Sequence, residues 1–203
     1  MGTNQDYKNR ALASLEGKWT NSAIVTVIML LLSGGIGTIF NAVLFNGSST
    51  LWTLLCLPLS WGYMVYFLNL IRKEDINFER LFDGFKDYVR IFLAMFLVGI
   101  CAFVGFLLLI IPGIIVALML SQTAFILKDD PSISVADAMK KSKAMMDGHK
   151  ADMFWLDVSF LGWIILSILT CGLGFILLLP YIETTLAHFY EDLKANTAWE
   201  KEN

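Results

Sequence analysis

Apolar residues in this chain run in long blocks instead of alternating with polar ones, and the length of each block is the first structural signal. A helix needs about 20 mostly apolar residues to cross a hydrocarbon core, with about 17 as a lower limit. Ser22 to Leu44 meets that length, and so does Leu51 to Ile71, with the turn-like Asn46-Gly47-Ser48-Ser49 between them. Together they predict a helical hairpin over 22–71. Blocks 89–127 and 154–190 are too long for one crossing unless steeply tilted, yet each suits two short ones. Each therefore predicts another hairpin. In the last, Cys171-Gly172-Leu173-Gly174 is the expected reversal, because glycine supplies the backbone freedom a tight turn needs. The middle block has no polar turn; its expected reversal is Gly105, with Pro112-Gly113 as the rival position.

Charge tests the six-span reading, since Lys and Arg gather in short cytoplasmic loops. The segments 1–21, 72–88, 128–153 and 191–203 fall on one side and, with Arg90 at the entrance of the middle block, hold all fifteen basic residues, while the three opposite turns hold no charge. If either long block were a single span, the asymmetry would vanish. The expected protein is a multi-pass protein of the cytoplasmic membrane with both termini inside. Composition agrees: 57% of residues are apolar and 16% charged, against roughly 45–50% and about 25% in soluble domains. The net charge of −3 offers no electrostatic footprint for nucleic acid. The first twenty residues mix charges of both signs, unlike a cleaved signal peptide, and Asp6 stands where myristoylation needs Ser or Thr.

The hairpins share marks that predict a pseudo-threefold repeat. Gly17-Lys18-Trp19, Gly84-Phe85-Lys86-Asp87-Tyr88 and Gly148-His149-Lys150, with Phe154 beyond, each put a glycine, a lysine and an aromatic at a hairpin entrance. The second helix of each hairpin holds a proline, Pro58, Pro112 or Pro180, preceded by leucine-rich sequence, and a kink is expected at each. Short amphipathic cytoplasmic helices are expected before the hairpins. The clearest covers 77–89, where Phe78, Leu81, Phe82, Phe85 and Val89 form one helical stripe opposite Glu79, Arg80, Asp83, Lys86 and Asp87. It either lies on the inner membrane surface or caps the bundle, and its mixed charge argues against polybasic headgroup binding. Another starts at Ser134, with Asp137 in a capping-box-like position, follows Val135, Ala138, Met139, Ser142 and Met146, and ends at Gly148. The first, through Ala11, Leu12, Leu15 and Trp19, is shorter.

Ile111-Pro112-Gly113-Ile114-Ile115, Asp129-x-Pro131, Asp137-Ala138-Met139-Lys140-x-Ser142, Met146-x-Gly148-x-Lys150 and Pro180-Tyr181 form a set of motifs. In these the chain resembles an uncharacterised bacterial integral-membrane family, domain-of-unknown-function family 975, most specifically from Pro112 to Tyr190. The resemblance implies a polytopic protein of the bacterial inner membrane and brings no catalytic residue with it.

Glu183 is the one carboxylate well inside a span. A charge at bilayer depth costs on the order of 2.5–3.5 kcal/mol on insertion scales. Two readings follow: a transport or relay site with Thr184 and His188 on the same helix, or a neutral acid hydrogen-bonding a neighbouring helix through Tyr63, Tyr66, Asn69 or Gln122. Asp157, near the start of its span, is expected to reach the interface toward Lys150. His149 and His188 are too isolated for a metal site, and Cys56, Cys101 and Cys171 in apolar runs read as packing residues. Ser33, Gly34, Gly35 and Gly37 suit close helix approach. Met145 and Met146 are either gap-fillers or a docking patch. No catalytic, cofactor or metal signature appears, so the expected function is non-enzymatic: a scaffold, regulator or assembly factor that binds lipid or a protein partner at the cytoplasmic face. The alternative is a small transporter using Glu183.

Overall fold

A computed structural model of the protein describes residues 1–35 and 48–196, whose regular secondary structure is all helical. Part of the first span, its Gly37, and Asn46-Gly47 of the first turn lie outside the described residues. Helix α1, Asn4–Leu15, opens on a capping box: the Thr3 hydroxyl accepts from the Asp6 backbone N–H at 3.2 Å, and the Asp6 carboxylate accepts from the Thr3 N–H at 2.8 Å. Tyr7, Ala11 and Leu15 form its buried stripe, while Leu12 points outward. Gly17, at φ 72°, turns the chain into α2, Trp19–Leu30, which continues as a π-turn at Leu31–Gly35. The two helical stretches meet at 98°. The small residues expected to admit a helix neighbour lie in that π-turn, where a Cβ on Gly34 would meet no atom within 4 Å.

After α3, Ser48–Leu55, the chain breaks at Cys56 and enters α4, Leu57–Arg72. Helix α4 has no polar face over most of its length, so it is buried on all sides. Trp61, Val65 and Leu68 pack with Phe125 and Phe189, whereas Leu59, Tyr63, Tyr66, Phe67 and Leu70 pack with Leu15, Val25 and Leu81. The Trp61 indole donates to the Ala124 carbonyl at 2.9 Å, giving its buried N–H the partner it needs.

The expected amphipathic α-helix over 77–89 is a 3₁₀ helix at Phe78–Phe85. At three residues per turn, side chains eclipse at i and i+3. Leu81 and Gly84 accordingly form the buried row, and Arg80, Asp83 and Lys86 form an ion-paired row, with Arg80–Asp83 at 3.2 Å and Lys86–Asp83 at 2.7 Å. Gly84 lies against the Pro58 carbonyl and Gly62 against the Leu81 carbonyl; a Cβ at either glycine would overlap backbone. That backbone-to-backbone contact is the physical reason for the tighter helix.

Helix α5, Tyr88–Leu108, and α6, Ile110–Leu120, form the middle hairpin around one extended residue, Leu109. The turn is therefore neither at Gly105 nor at Pro112-Gly113. Gly105 and Gly113 instead face each other across it, and their lack of side chains lets the helices close beside so short a turn. A turn at Ser121-Gln122 leads to α7, Thr123–Asp129. Helix α8, Val135–Met145, starts where Ser134 accepts from the Asp137 N–H at 3.1 Å and is followed by Gly148 at φ 80°. Met145 and Met146 are buried in the core, which settles them as packing residues.

Helix α9, Lys150–Val158, continues through Ser159-Phe160 into α10, Leu161–Leu169. The reversal before α11, Phe175–Asn196, falls where expected, with Cys171 at φ 54° and Gly172 at φ 87°. The expected three proline kinks are not equivalent. Pro58 and Pro112 occupy first turns, where a missing N–H costs nothing, and Pro180 alone lies inside its helix. Among the described residues, Tyr88–Leu108, Ile110–Asp129 and Lys150–Leu169 are long and apolar enough to cross a membrane, and the bent pair Asn4–Leu15 with Trp19–Gly35 makes a fourth if counted as one span.

Candidate functional site

The polar residues singled out in the spans do not converge. On α11, the Thr184 hydroxyl donates back to the Pro180 carbonyl at 2.7 Å, and His188 shares a 2.9 Å hydrogen bond with Ser14 of α1. Tyr63 pairs with the Thr26 hydroxyl at 2.8 Å. The Gln122 amide donates to the Ser121 hydroxyl at 2.8 Å. Glu183 is left alone: its Oε2 is buried without a hydrogen-bond partner among the described residues. The bonds expected from Tyr63, Tyr66, Asn69 or Gln122 are not made, because α4 directs Tyr63 to α2 and Gln122 belongs to the α6–α7 break. Asp157 does not pair with Lys150, whose amine reaches Asp147 at 2.9 Å one helical turn away. Among the described residues, no three His, Cys, Asp or Glu side chains gather as a metal ion would require.

A second constellation does converge, at the ends of α4, α7 and α11. The Arg72 guanidinium donates to both oxygens of Asp129, at 2.6 and 3.0 Å, and its Nε donates to Glu191 at 2.7 Å. Tyr190 and Lys194 donate to the same Asp129 oxygen at 2.8 and 2.9 Å. Two cations and two anions thus balance across three helices, in the bidentate geometry that favours arginine over lysine. Neighbouring contacts extend the network. Arg10 holds Asp192 with two 2.8 Å bonds, which keep the Asp192 carboxyl below the usual carboxylate range against the opposing effect of burial. Arg90 donates to the carbonyls of Asp130 and Ile133, at 2.8 and 2.9 Å, and so braces the loop between α7 and α8. Lys8 donates to the Ser159 carbonyl at 3.0 Å and lies over the Phe160 ring.

Sequence reasoning treated these charges as loop charges and missed the cluster. A signal was present: Arg72 follows Pro58 at the same spacing as Lys194 follows Pro180, and Asp129 stands two residues past the end of the middle apolar block.

A family model described as a protein of unknown function, DUF975, matches residues 94–197. The match begins within α5, takes in all of α6 to α11 and covers just over half the chain. The chain belongs to that family. No curated protein and no solved structure matches it. Within the matched region, motif residues have structural tasks. Asp129 is the hub of the ion cluster. Ser142, fully buried, accepts from the Gln122 N–H at 3.2 Å and donates to the Met119 carbonyl at 2.8 Å, so it satisfies backbone groups freed by the α6–α7 break. Gly148 supplies the left-handed turn between α8 and α9.

Proposed function

We propose that this protein is a non-enzymatic scaffold, regulator or assembly factor of the cytoplasmic membrane, binding lipid or a protein partner at its inner face. In this reading six spans form three hairpins in a pseudo-threefold repeat, with both termini cytoplasmic. Helices α3–α4 and α11 are the spans beyond those supported by length and composition. The observation that carries the reading is where the polar groups go. Inside the bundle Tyr63, Thr184 and His188 are used by a neighbour or by their own helix while Tyr66, Asn69 and Glu183 each keep a buried oxygen without a partner among the described residues, whereas charged residues from all four polar segments are tied together around Asp129 and Asp192. Such an arrangement builds a braced face. Supporting the repeat, Gly17 and Gly148 adopt the same left-handed conformation after the first and third amphipathic helices.

An apolar groove of about 360 Å³ between α1–α2 and α10–α11, lined by Leu12, Trp19, Trp163, Leu166, Leu177 and Tyr181 among others, offers room for an acyl chain. Native mass spectrometry after mild detergent extraction tests the reading: retained lipid or a stoichiometric protein is expected, and release of the bare chain would overturn it. Cysteine labelling at positions 86 and 141 tests the topology, with both expected on the cytoplasmic side.

The transporter reading has one observation in its favour, the buried Oε2 of Glu183, which has no partner among the described residues. If a proton- or cation-coupled flux in proteoliposomes were lost in Glu183→Gln, that reading would replace the scaffold.

A further inference from the structure

We propose that the 3₁₀ segment Phe78–Phe85 is an aromatic wedge whose partner is the bilayer itself, seated at the headgroup–acyl boundary and indifferent to headgroup charge. The proposal deepens the lipid-binding reading above and rests on the bilayer contact of α5. One row of the segment, Leu81 and Gly84, is locked against α4 through the contacts at Gly62 and Pro58. Phe82 and Phe85, which share another row, are therefore held facing away from α4. Phe78, Phe82 and Phe85 stand 52%, 43% and 41% exposed, a concentration of aromatic surface that a water-facing helix would not leave uncovered.

What covers those rings follows from continuity. Phe82, Phe85, Tyr88, Phe92 and Phe96 form an unbroken ladder, with successive ring centroids 6.2, 5.9, 5.6 and 5.6 Å apart, from the 3₁₀ segment down α5. Helix α5 is a candidate span of which only 17% of the most apolar stretch is buried in the protein, so its outer surface is the one that meets acyl chains. The same strip of rings thus passes from the spanning helix onto the wedge, and aromatic side chains favour the membrane boundary.

The polar row sets the selectivity. Asp75 and Asp83 hold Arg80 at 2.9 and 3.2 Å, and Asp83 also holds Lys86 at 2.7 Å. Two cations are cancelled by two anions, and Glu79 and Asp87 add further negative charge. The row has no excess positive charge to draw anionic headgroups, so apolar burial carries the contact.

The test is site-directed spin labelling of the full chain, with Cys56, Cys101 and Cys171 replaced by alanine, in nanodiscs of zwitterionic or anionic lipid. Nitroxides are placed by Lys86→Cys on the polar row, where the native side chain is 75% exposed, and by Phe82→Cys, Phe85→Cys and Phe103→Cys, and the ratio of oxygen to water-soluble nickel accessibility is measured. Positions 82 and 85 are expected to show a ratio several-fold above that of position 86, and unchanged between the two lipids. A ratio at 82 and 85 equal to that at 86, or one that rises only with anionic lipid, overturns the wedge. Position 103 separates the two failures: a water-exposed label there would sink the α5 span instead. Should the cysteine-free chain not fold, benzoylphenylalanine at position 82 of the native chain is the second measurement. Photo-adducts to lipid are expected, and adducts to protein alone overturn the proposal.

Discussion

Arg72 and Asp129 meet through two guanidinium–carboxylate hydrogen bonds of 2.6 and 3.0 Å, joining the end of α4 to the end of α7. Both side chains are mostly shielded, at 21% and 14% exposure, so the pair is worth more than a surface ion pair. Arg72→Ala would leave Asp129 with Tyr190 and Lys194 alone and strand Glu191. The expected loss is about 1.5–3 kcal/mol, the range for hydrogen bonds to charged groups. Unfolding in detergent of Arg72→Ala, Asp129→Asn and the double variant would read it, with strongly non-additive losses expected for residues in direct contact.

The clasp between Arg10 and Asp192 predicts a pH dependence. The Asp192 carboxyl is held below its usual range by hydrogen bonds from Arg10. A group depressed in the folded state contributes stability that is present above its unfolded pKa and is lost as pH falls through the folded value. The contact of α1 with α11 should therefore persist at neutral pH and weaken in acid, below about pH 4. Hydrogen exchange of residues 4–15 should rise there, and Arg10→Gln should raise exchange at neutral pH and flatten the acid response.

Ser142→Ala removes the acceptor of the Gln122 N–H and the donor to the Met119 carbonyl in a fully buried setting. Leaving such a group unsatisfied costs about 1–3 kcal/mol. A lowered apparent Tm is expected, with faster exchange confined to residues around 119–123. An unchanged Tm would show that the break finds other partners.

Two glycine substitutions should fail for different reasons. Gly148→Ala forces a Cβ into φ 80° but into open space, so its cost is conformational, about 1–2 kcal/mol. Gly84→Ala drives a Cβ into the Pro58 carbonyl. It should cost more and detach residues 78–85 from α4. Limited proteolysis at Arg80 and Lys86 would distinguish them, with new cleavage expected only for Gly84→Ala.

The features legible in the letters were local. The reversal at Cys171-Gly172 was readable because positive φ is encoded by residue type at the turn itself, and the Ser134 cap because its partner is three residues away. The turn of the middle hairpin was misplaced because no residue there is a turn former. Leu109 becomes the reversal only once Gly105 and Gly113 let two helices touch. The period of residues 78–85 was misread for a related reason: five positions of one stripe fit 3.6 residues per turn, and only the contact with α4 selects three.

By itself the sequence determined an all-helical chain with long apolar blocks, basic residues kept out of them or, as with Arg90, at their edge, and the capping signals between them, since block length and cap chemistry act over a few residues. Only the tertiary structure decided which polar groups meet. Asp129 gathers Arg72, Tyr190 and Lys194 from distant parts of the chain, while the buried Oε2 of Glu183 finds no partner among the described residues. Hydrogen bonds demand approach to about 3 Å with aligned donors, and that geometry is set by how helices cross and rotate against each other, which no local pattern records.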